Sequence, residues 1–230
     1  MRSSNAVHQG IMRIDFVSDV ACPWCAIGLS ALERALERIG SDVGDVEIHM
    51  QPFELNPAMP PEGADAMEYM TSKYGLTAEQ LAVNRARIVE RGAAEGFRFG
   101  ERMRVFNTFD AHRVLFWAGR EGPPGAQRAL KHALLAAYHG DGRNPGAHDV
   151  LLELAGQVGL PVERAREVLE RGEFGEEVRQ AEQFWQQLGI HSVPAVIVNR
   201  KHLISGGQPS AVFEQALREI GGAEADREGE

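Results

Sequence analysis

Ile14 and Phe16 alternate with polar neighbours in "MRIDFVSDV" (12–20), a period of two that predicts a strand over 12–18. Beyond Cys22 the period changes. Leu29, Leu32, Leu36 and Ile39 recur at helical spacing, and Gly40 is a natural stop. "VEIHMQPFE" (46–54) returns to alternation and predicts a second strand. Strand, helix and strand in succession favour a parallel pair joined by a right-handed crossover.

The proline-rich "LNPAMPPEGAD" (55–65) marks a boundary. From about residue 64 to 189 the spacing predicts helices over 65–74, 77–95, 108–120, 124–140, 147–157, 161–171 and 175–188. Gly75, "REGPPGA" (120–126), "GDGRNPG" (140–146) and "GLP" (159–161) punctuate them, with no fixed repeat. Strand character then returns in "PAVIVN" (194–199) and "HLISG" (202–206), a hairpin turning at Arg200 and Lys201. Val212, Phe213, Ala216, Leu217 and Ile220 line one face of a last helix over 209–220. The fold class is therefore α/β. A discontinuous sheet domain covers 11–58 and 189–221, an all-helical insertion covers 59–188, and 1–10 and 222–230 are expected to be disordered tails.

At 230 residues with 43% hydrophobic and 25% charged residues, the chain is long enough to bury a core without disulfide staples. The net charge of −9 disfavours nucleic acid and acidic membrane surfaces as partners. No apolar run reaches the roughly 20 residues of a spanning helix or forms a signal-peptide core, so the expected compartment is the cytoplasm. Thiols are kept reduced there, and a CxxC pair is more often catalytic or metal-binding than structural.

The only two cysteines are Cys22 and Cys25, in "VACPWCAIG" (20–28) at the strand-to-helix junction. Only a thiolate attacks a disulfide or binds a metal, and a helix N-terminus favours that charge through its free N–H groups and dipole. Cys22 is then an exposed nucleophile. Cys25, one turn inside the helix, resolves the mixed disulfide. Pro23 stiffens the first turn and Trp24 adds an apolar face. A zinc site would need two more ligands. The eight histidines offer no HxxxH pair and there is no second CxxC, so no metal is expected. Two buried core thiols remain the plain alternative. Farther on, "GIHSVPAVIVN" (189–199) places Pro194 at the start of a strand. A cis Val193–Pro194 bond would fit a tight turn there, leaving the Val193 backbone free to pair with an extended substrate.

Together, "SDVACPWCAIG" and "GIHSVPAVIVNRKHLISGGQP" resemble the thioredoxin superfamily, and within it the DsbA-like oxidoreductases with a helical insertion. "PFELNP" (52–57) and "NTFDAHR" (107–113) are similar to the FrnE branch, described as polyketide-biosynthesis-type dithiol–disulfide isomerases. The resemblance spans about residues 12–220. It implies a thioredoxin fold with a large all-helical insertion, Cys22 as nucleophile, Cys25 as resolving thiol and Pro194 as a cis proline beside them. It also implies a substrate-binding backbone at Val193, and Asn107, Phe109 and His112 as lining of the active site. His112 could shuttle protons near neutral pH, or be a hydrogen-bonded helix histidine. Trp24 stands where the periplasmic DsbA enzymes carry histidine, which implies a less oxidising pair. A second, distant cysteine pair of some relatives is absent.

The function these features imply is a cytosolic thiol–disulfide oxidoreductase, reductase or isomerase. No bound cofactor is expected, with glutathione as a candidate thiol partner. The substrate would be a disulfide-containing peptide or a small thiol, and a homodimer is left open. Two alternatives stand beside it. One is a glutathione-dependent isomerase or transferase of the 2-hydroxychromene-2-carboxylate isomerase or kappa type, in which Cys25 would be superfluous. The other is a non-catalytic peptide-binding or chaperone module, which needs neither thiol.

Overall fold

A computed structural model describes residues 11–228. Strand β1 (Met12–Ser18) leads into helix α1 (Pro23–Ile39) and returns as β2 (Val46–Pro52), parallel to β1 with Phe16 opposite Met50. Strand β3 (Ala64–Asp65) opens the insertion, followed by α2 (Ala66–Tyr74) and α3 (Ala78–Ala94). Strand β4 (Arg104–Val105) pairs antiparallel with β3. Five helices complete the insertion: α4 (Phe109–Glu121), α5 (Ala126–Leu135), α6 (His148–Gln157), α7 (Val162–Glu170) and α8 (Gly175–Gln187). The hairpin of β5 (Ala195–Val198) and β6 (His202–Ser205) and the final helix α9 (Ser210–Glu228) close the chain. The four-stranded sheet runs β2-β1-β5-β6, with β5 antiparallel to β1 and β6.

The sheet is buried on both faces. Ile14 and Phe16 of β1 and Val196 and Val198 of β5 pack with Leu29 and Leu32 of α1 and Phe213 and Leu217 of α9. Val17, Ala195 and Ile197 face Phe53, Ile190 and Trp185 of α8. A third core lies inside the helical block, around Val114, Trp117, Leu130, Leu134, Tyr138 and Leu151. The blocks are not cleanly divided. Leu135 of α5 packs in the sheet core, while Val20 and Ala21, which precede Cys22, pack in the helical core.

Three details differ from the sequence expectation. The β3–β4 ladder is two residues long on each side, too short to carry a period. The helix expected over 124–140 leaves α-geometry after Leu135 and ends in a π-turn over Ala136–Gly140. The last helix runs on through Glu228, where a disordered tail was expected from 222. Ala223, Glu224 and Ala225 are strong helix formers that extend it past Gly221 and Gly222. The expected tails at 1–10 and 229–230 lie outside the described residues. Among the described residues no helix is long and apolar enough to cross a membrane.

Candidate active site

After β1 ends at Ser18 the chain turns through Asp19, Val20 and Ala21 and enters α1 at Cys22. Cys22 is the N-cap residue, extended at φ −88° and ψ 115°, with Pro23 directly inside the helix. Proline fits there because it lacks only an N–H that no helical carbonyl would accept. No side chain caps the helix, so the first-turn N–H groups are left to the Cys22 sulfur. The amide of Cys22 donates to Asp19 O at 3.2 Å, and that of Cys25 to Cys22 O at 3.1 Å. Both thiols are free and buried.

The two sulfurs are held unequally. A hydrogen bond from the Cys25 thiol, aided by the backbone N–H groups of Cys25 and Trp24, outweighs burial and the nearby Asp19 charge, holding the Cys22 thiol below its ordinary range. Burial pushes the Cys25 thiol well up, and the neighbouring Cys22 sulfur adds to it. The Cys22 thiol is therefore the easier of the two to ionise, and the Cys25 thiol the harder.

Beneath the pair lie buried polar groups, Asp19 from the cysteine segment itself and the others from the helical block. Asp19 is fully buried and accepts four hydrogen bonds: from Ala21 N (3.1 Å), Leu55 N (2.7 Å), Thr108 Oγ1 (2.8 Å) and His112 Nε2 (3.2 Å). Burial alone would raise its carboxyl, but His112 and the two backbone donors outweigh burial and hold it below the usual range. Lys131 of α5 is also buried. Burial lowers its ammonium, opposed by the charges of Cys25, Asp19 and Cys22. His139 donates Nε2–H to Val20 O at 2.8 Å, and burial together with the Arg102 charge pushes it down to about 3. Arg102 reaches Ala21 O at 3.3 Å and Tyr138 OH at 3.1 Å. The two carbonyls preceding Cys22 are thus both held by the insertion.

The structure brings Val193 and Pro194 to the cysteines. The Val193–Pro194 bond is cis, and the Cys22 thiol donates to Val193 O at 3.6 Å. Glycines make the approach possible. A Cβ on Gly28 would stand 3.0 Å from Pro194 Cγ, and one on Gly207 would stand 2.8 Å from Trp24 O. Pro23 and Trp24 are half-buried, with the Arg87 guanidinium 5.7 Å from the Trp24 ring centre.

One expectation is corrected: Cys22 is not exposed. Only 4% of its surface is open, because its thiol turns under the Val193 carbonyl and its helix start is packed by the insertion. His112 is 2% exposed and points its Nε2 at Asp19, so it lies under the site as a hydrogen-bonded helix histidine. Asn107 bridges its own loop, donating to Met59 O at 2.9 Å and accepting from Phe109 N at 2.8 Å. The Phe109 ring stacks under the Arg179 guanidinium, 3.9 Å from the ring centre. These contacts are made with the helical block and not with the cysteine segment.

Asp19, Lys131, His139 and Arg102 were not singled out from sequence. Lys131 carried a signal, standing between Leu130, Leu134 and Leu135 in "RALKHALL" (128–135), where an exposed lysine fits poorly. Among the described residues no three His, Cys, Asp or Glu side chains are grouped as a metal site requires.

With this geometry in hand, the comparison with known families is direct. Residues 13–218 match the DSBA-like thioredoxin domain. The chain belongs to that family. A probable DsbA oxidoreductase from Streptomyces coelicolor, SCO1869, is 35% identical, with a TM-score of 0.84 over 92% of this chain and 90% of that one. The uncharacterized protein YwbO of Bacillus subtilis (strain 168) is 26% identical over 90% of this chain and 96% of its own. The cytosolic disulfide reductase DsbM of Pseudomonas aeruginosa, solved with GSH, is 20% identical. It shares the fold at a TM-score of 0.60 over 90% of this chain and 99% of that one.

Proposed function

We propose that this DsbA-like protein is a cytoplasmic thiol–disulfide oxidoreductase that reduces or isomerises disulfides through Cys22 and Cys25. The observation that carries the reading is the unequal pair: a Cys22 thiol lowered at a helix start beside Val193 O, and a Cys25 thiol raised one turn inside. The Cys22 thiolate attacks one sulfur of a disulfide, the substrate S–S bond breaks, and one thiolate leaves. Cys25 then gives up its proton and attacks the Cys22 sulfur. The second thiolate leaves, and the protein holds a Cys22–Cys25 disulfide after passing two electrons to the substrate. Two thiols of the glutathione class return the pair to the dithiol form: the first opens the Cys22–Cys25 disulfide as a mixed disulfide, and the second releases it, leaving as the disulfide of the two. The name of DsbM, a cytosolic disulfide reductase solved with GSH, supports both the compartment and that partner. "PFELNP" and "NTFDAHR" support the FrnE-type branch.

The Cys22–Val193 contact, which an incoming disulfide would displace, supports the reading that the Val193 backbone faces the substrate. The test is Cys25→Ser incubated with a disulfide and read by intact mass. A stable adduct on Cys22, absent from Cys22→Ser, is expected, together with loss of insulin-reduction turnover. Full insulin-reduction turnover in Cys25→Ser would show that external thiol releases the mixed disulfide without Cys25 and would overturn the two-thiol cycle. Insulin reduction no faster than with reductant alone in the unaltered protein would favour a binding module.

A further inference from the structure

Arginine charge is distributed unevenly over this acidic chain. Most arginines elsewhere meet a carboxylate, as Arg164 meets Glu121 and Glu173, and Arg218 meets Asp42 and Glu214. Arg85, Arg87, Arg91, Arg98, Arg102 and Arg104 do not: among the described residues none has a carboxylate oxygen within 4.0 Å. Several meet neutral groups instead. Arg85 donates to Gly100 O at 2.6 Å, Arg91 to Gly207 O at 3.2 Å, Arg104 to Glu62 O at 2.8 Å, and Arg102 to Ala21 O at 3.3 Å. A carbonyl satisfies a donor but cancels no charge. Residues 62–104 carry seven Asp and Glu against seven Lys and Arg, so the segment has no net charge, and what distinguishes it is a set of guanidinium groups not paired at close range with a carboxylate.

Beside two of these guanidiniums, Arg85 and Arg102, lies a groove of about 340 Å³ between α2, α3 and the loop before β4, a size suited to a small ligand. Its apolar wall is Met67, Met70, Leu81, Ile88 and Met103, and Pro23 stands at one side. Met67 and Met103 are 52% and 70% exposed, a large apolar surface of the adaptable kind that methionine provides. The charged members of the wall are Arg85, Arg102 and Asp65, with His139 beside them. The Asp65 carboxylate caps α2, accepting from Glu68 N at 3.0 Å; that bond cancels no charge, so the wall carries two guanidiniums against one carboxylate. Arg102 and His139 belong both to this wall and to the hydrogen bonds on Ala21 O and Val20 O. The groove therefore runs beside the segment that ends in Cys22.

We propose that this groove binds a small organic disulfide bearing a carboxylate on an apolar or aromatic frame, with the anion at Arg85 and Arg102 and the frame against the methionines. This rests on the oxidoreductase reading and names its substrate class. The chemistry is the exchange already described: two organic thiolates are released for each Cys22–Cys25 disulfide formed.

The experiment uses the reduced full chain in stopped flow with three probes: dithiobis(nitrobenzoate), which is aromatic and anionic; dithiodipyridine, which is aromatic and neutral; and hydroxyethyl disulfide, which is small and neutral. Each rate is divided by that of free glutathione thiol with the same probe. The anionic probe is expected to lead the neutral aromatic one by about tenfold at low salt. Arg85→Gln should bring that ratio down by about fivefold, and added salt should do the same. Ala82→Phe, at an exposed position on the groove wall, should slow both aromatic probes relative to hydroxyethyl disulfide. A normalised ratio near one that neither Arg85→Gln nor salt changes overturns the proposal while the redox reading stands. Release of fewer than two thiolates per protein with every probe overturns the redox reading itself. Circular dichroism of each variant confirms that the fold is retained.

Discussion

Helices α2 and α3 on one side and α4 and α5 on the other come from the same insertion, yet they are built differently. Helix α2 has no buried residue and α3 only Gly92. Helix α4 buries seven residues, His112 and Arg113 among them, and α5 buries Leu130, Lys131, Leu134 and Leu135. The buried pair fixes charges around the cysteines: His112 on Asp19, and Lys131 near both sulfurs. The exposed pair supplies a soft apolar wall. The insertion thus divides its labour, with one half rigid and electrostatic and the other open and adaptable.

The sharpest way to break this contrast is to remove Asp19. Asp19→Ala strips three buried donors and one partly buried donor of their acceptor and should cost about 3–5 kcal/mol in urea unfolding. A loss below about 1 kcal/mol would mean that the buried half does not depend on this carboxylate. Next comes a matched pair of truncations. Leu134→Ala, at a fully buried position of α5, should cost about 3 kcal/mol, while Leu81→Ala on α3 should cost about 1 kcal/mol or less. Equal losses would erase the distinction between the halves.

A smaller effect concerns Lys131. Its charge lowers the Cys25 thiol, so Lys131→Met should raise that thiol further. Resolution of a Cys22 mixed disulfide near pH 7 should slow by several-fold, with the defect shrinking as pH rises. Rapid-quench mass spectrometry reads it, and an unchanged pH profile would separate Lys131 from the chemistry. The smallest effect involves Glu54. Burial, with Glu182 adjacent, pushes its carboxyl up to about 7 from 4.5. The folded state therefore holds a proton that the unfolded state has lost, and stability declines as pH rises from about 4.5 to about 7. Allowing for solvent screening, the decline is on the order of 1 kcal/mol. Glu54→Gln should flatten that part of the stability profile.

Much of this molecule was legible along the chain. The alternation of Ile14 and Phe16 and the spacing of Leu29, Leu32 and Ile39 gave a strand and a helix meeting at the CxxC, and the structure places them there. Tertiary packing decided the rest. Asp19 and His112 are 93 residues apart and each resembles an ordinary surface polar residue, so nothing local announces a buried pair. Cys22 was expected in the open as the nucleophile at a helix start, but its cover comes from Val193, 171 residues away. The β3–β4 pairing is too short to leave a pattern, and the π-turn after Leu135 keeps enough helical spacing to be mistaken for more of the same helix.

Val20 and Ala21 complete the hydrophobic interior of the inserted block, although they belong by sequence to the first strand's exit. A chimaera that exchanged residues 59–188 between relatives would therefore leave a mismatched socket where α1 begins, unless those two positions travelled with the graft. Inserted block and cysteine segment form a single packing unit.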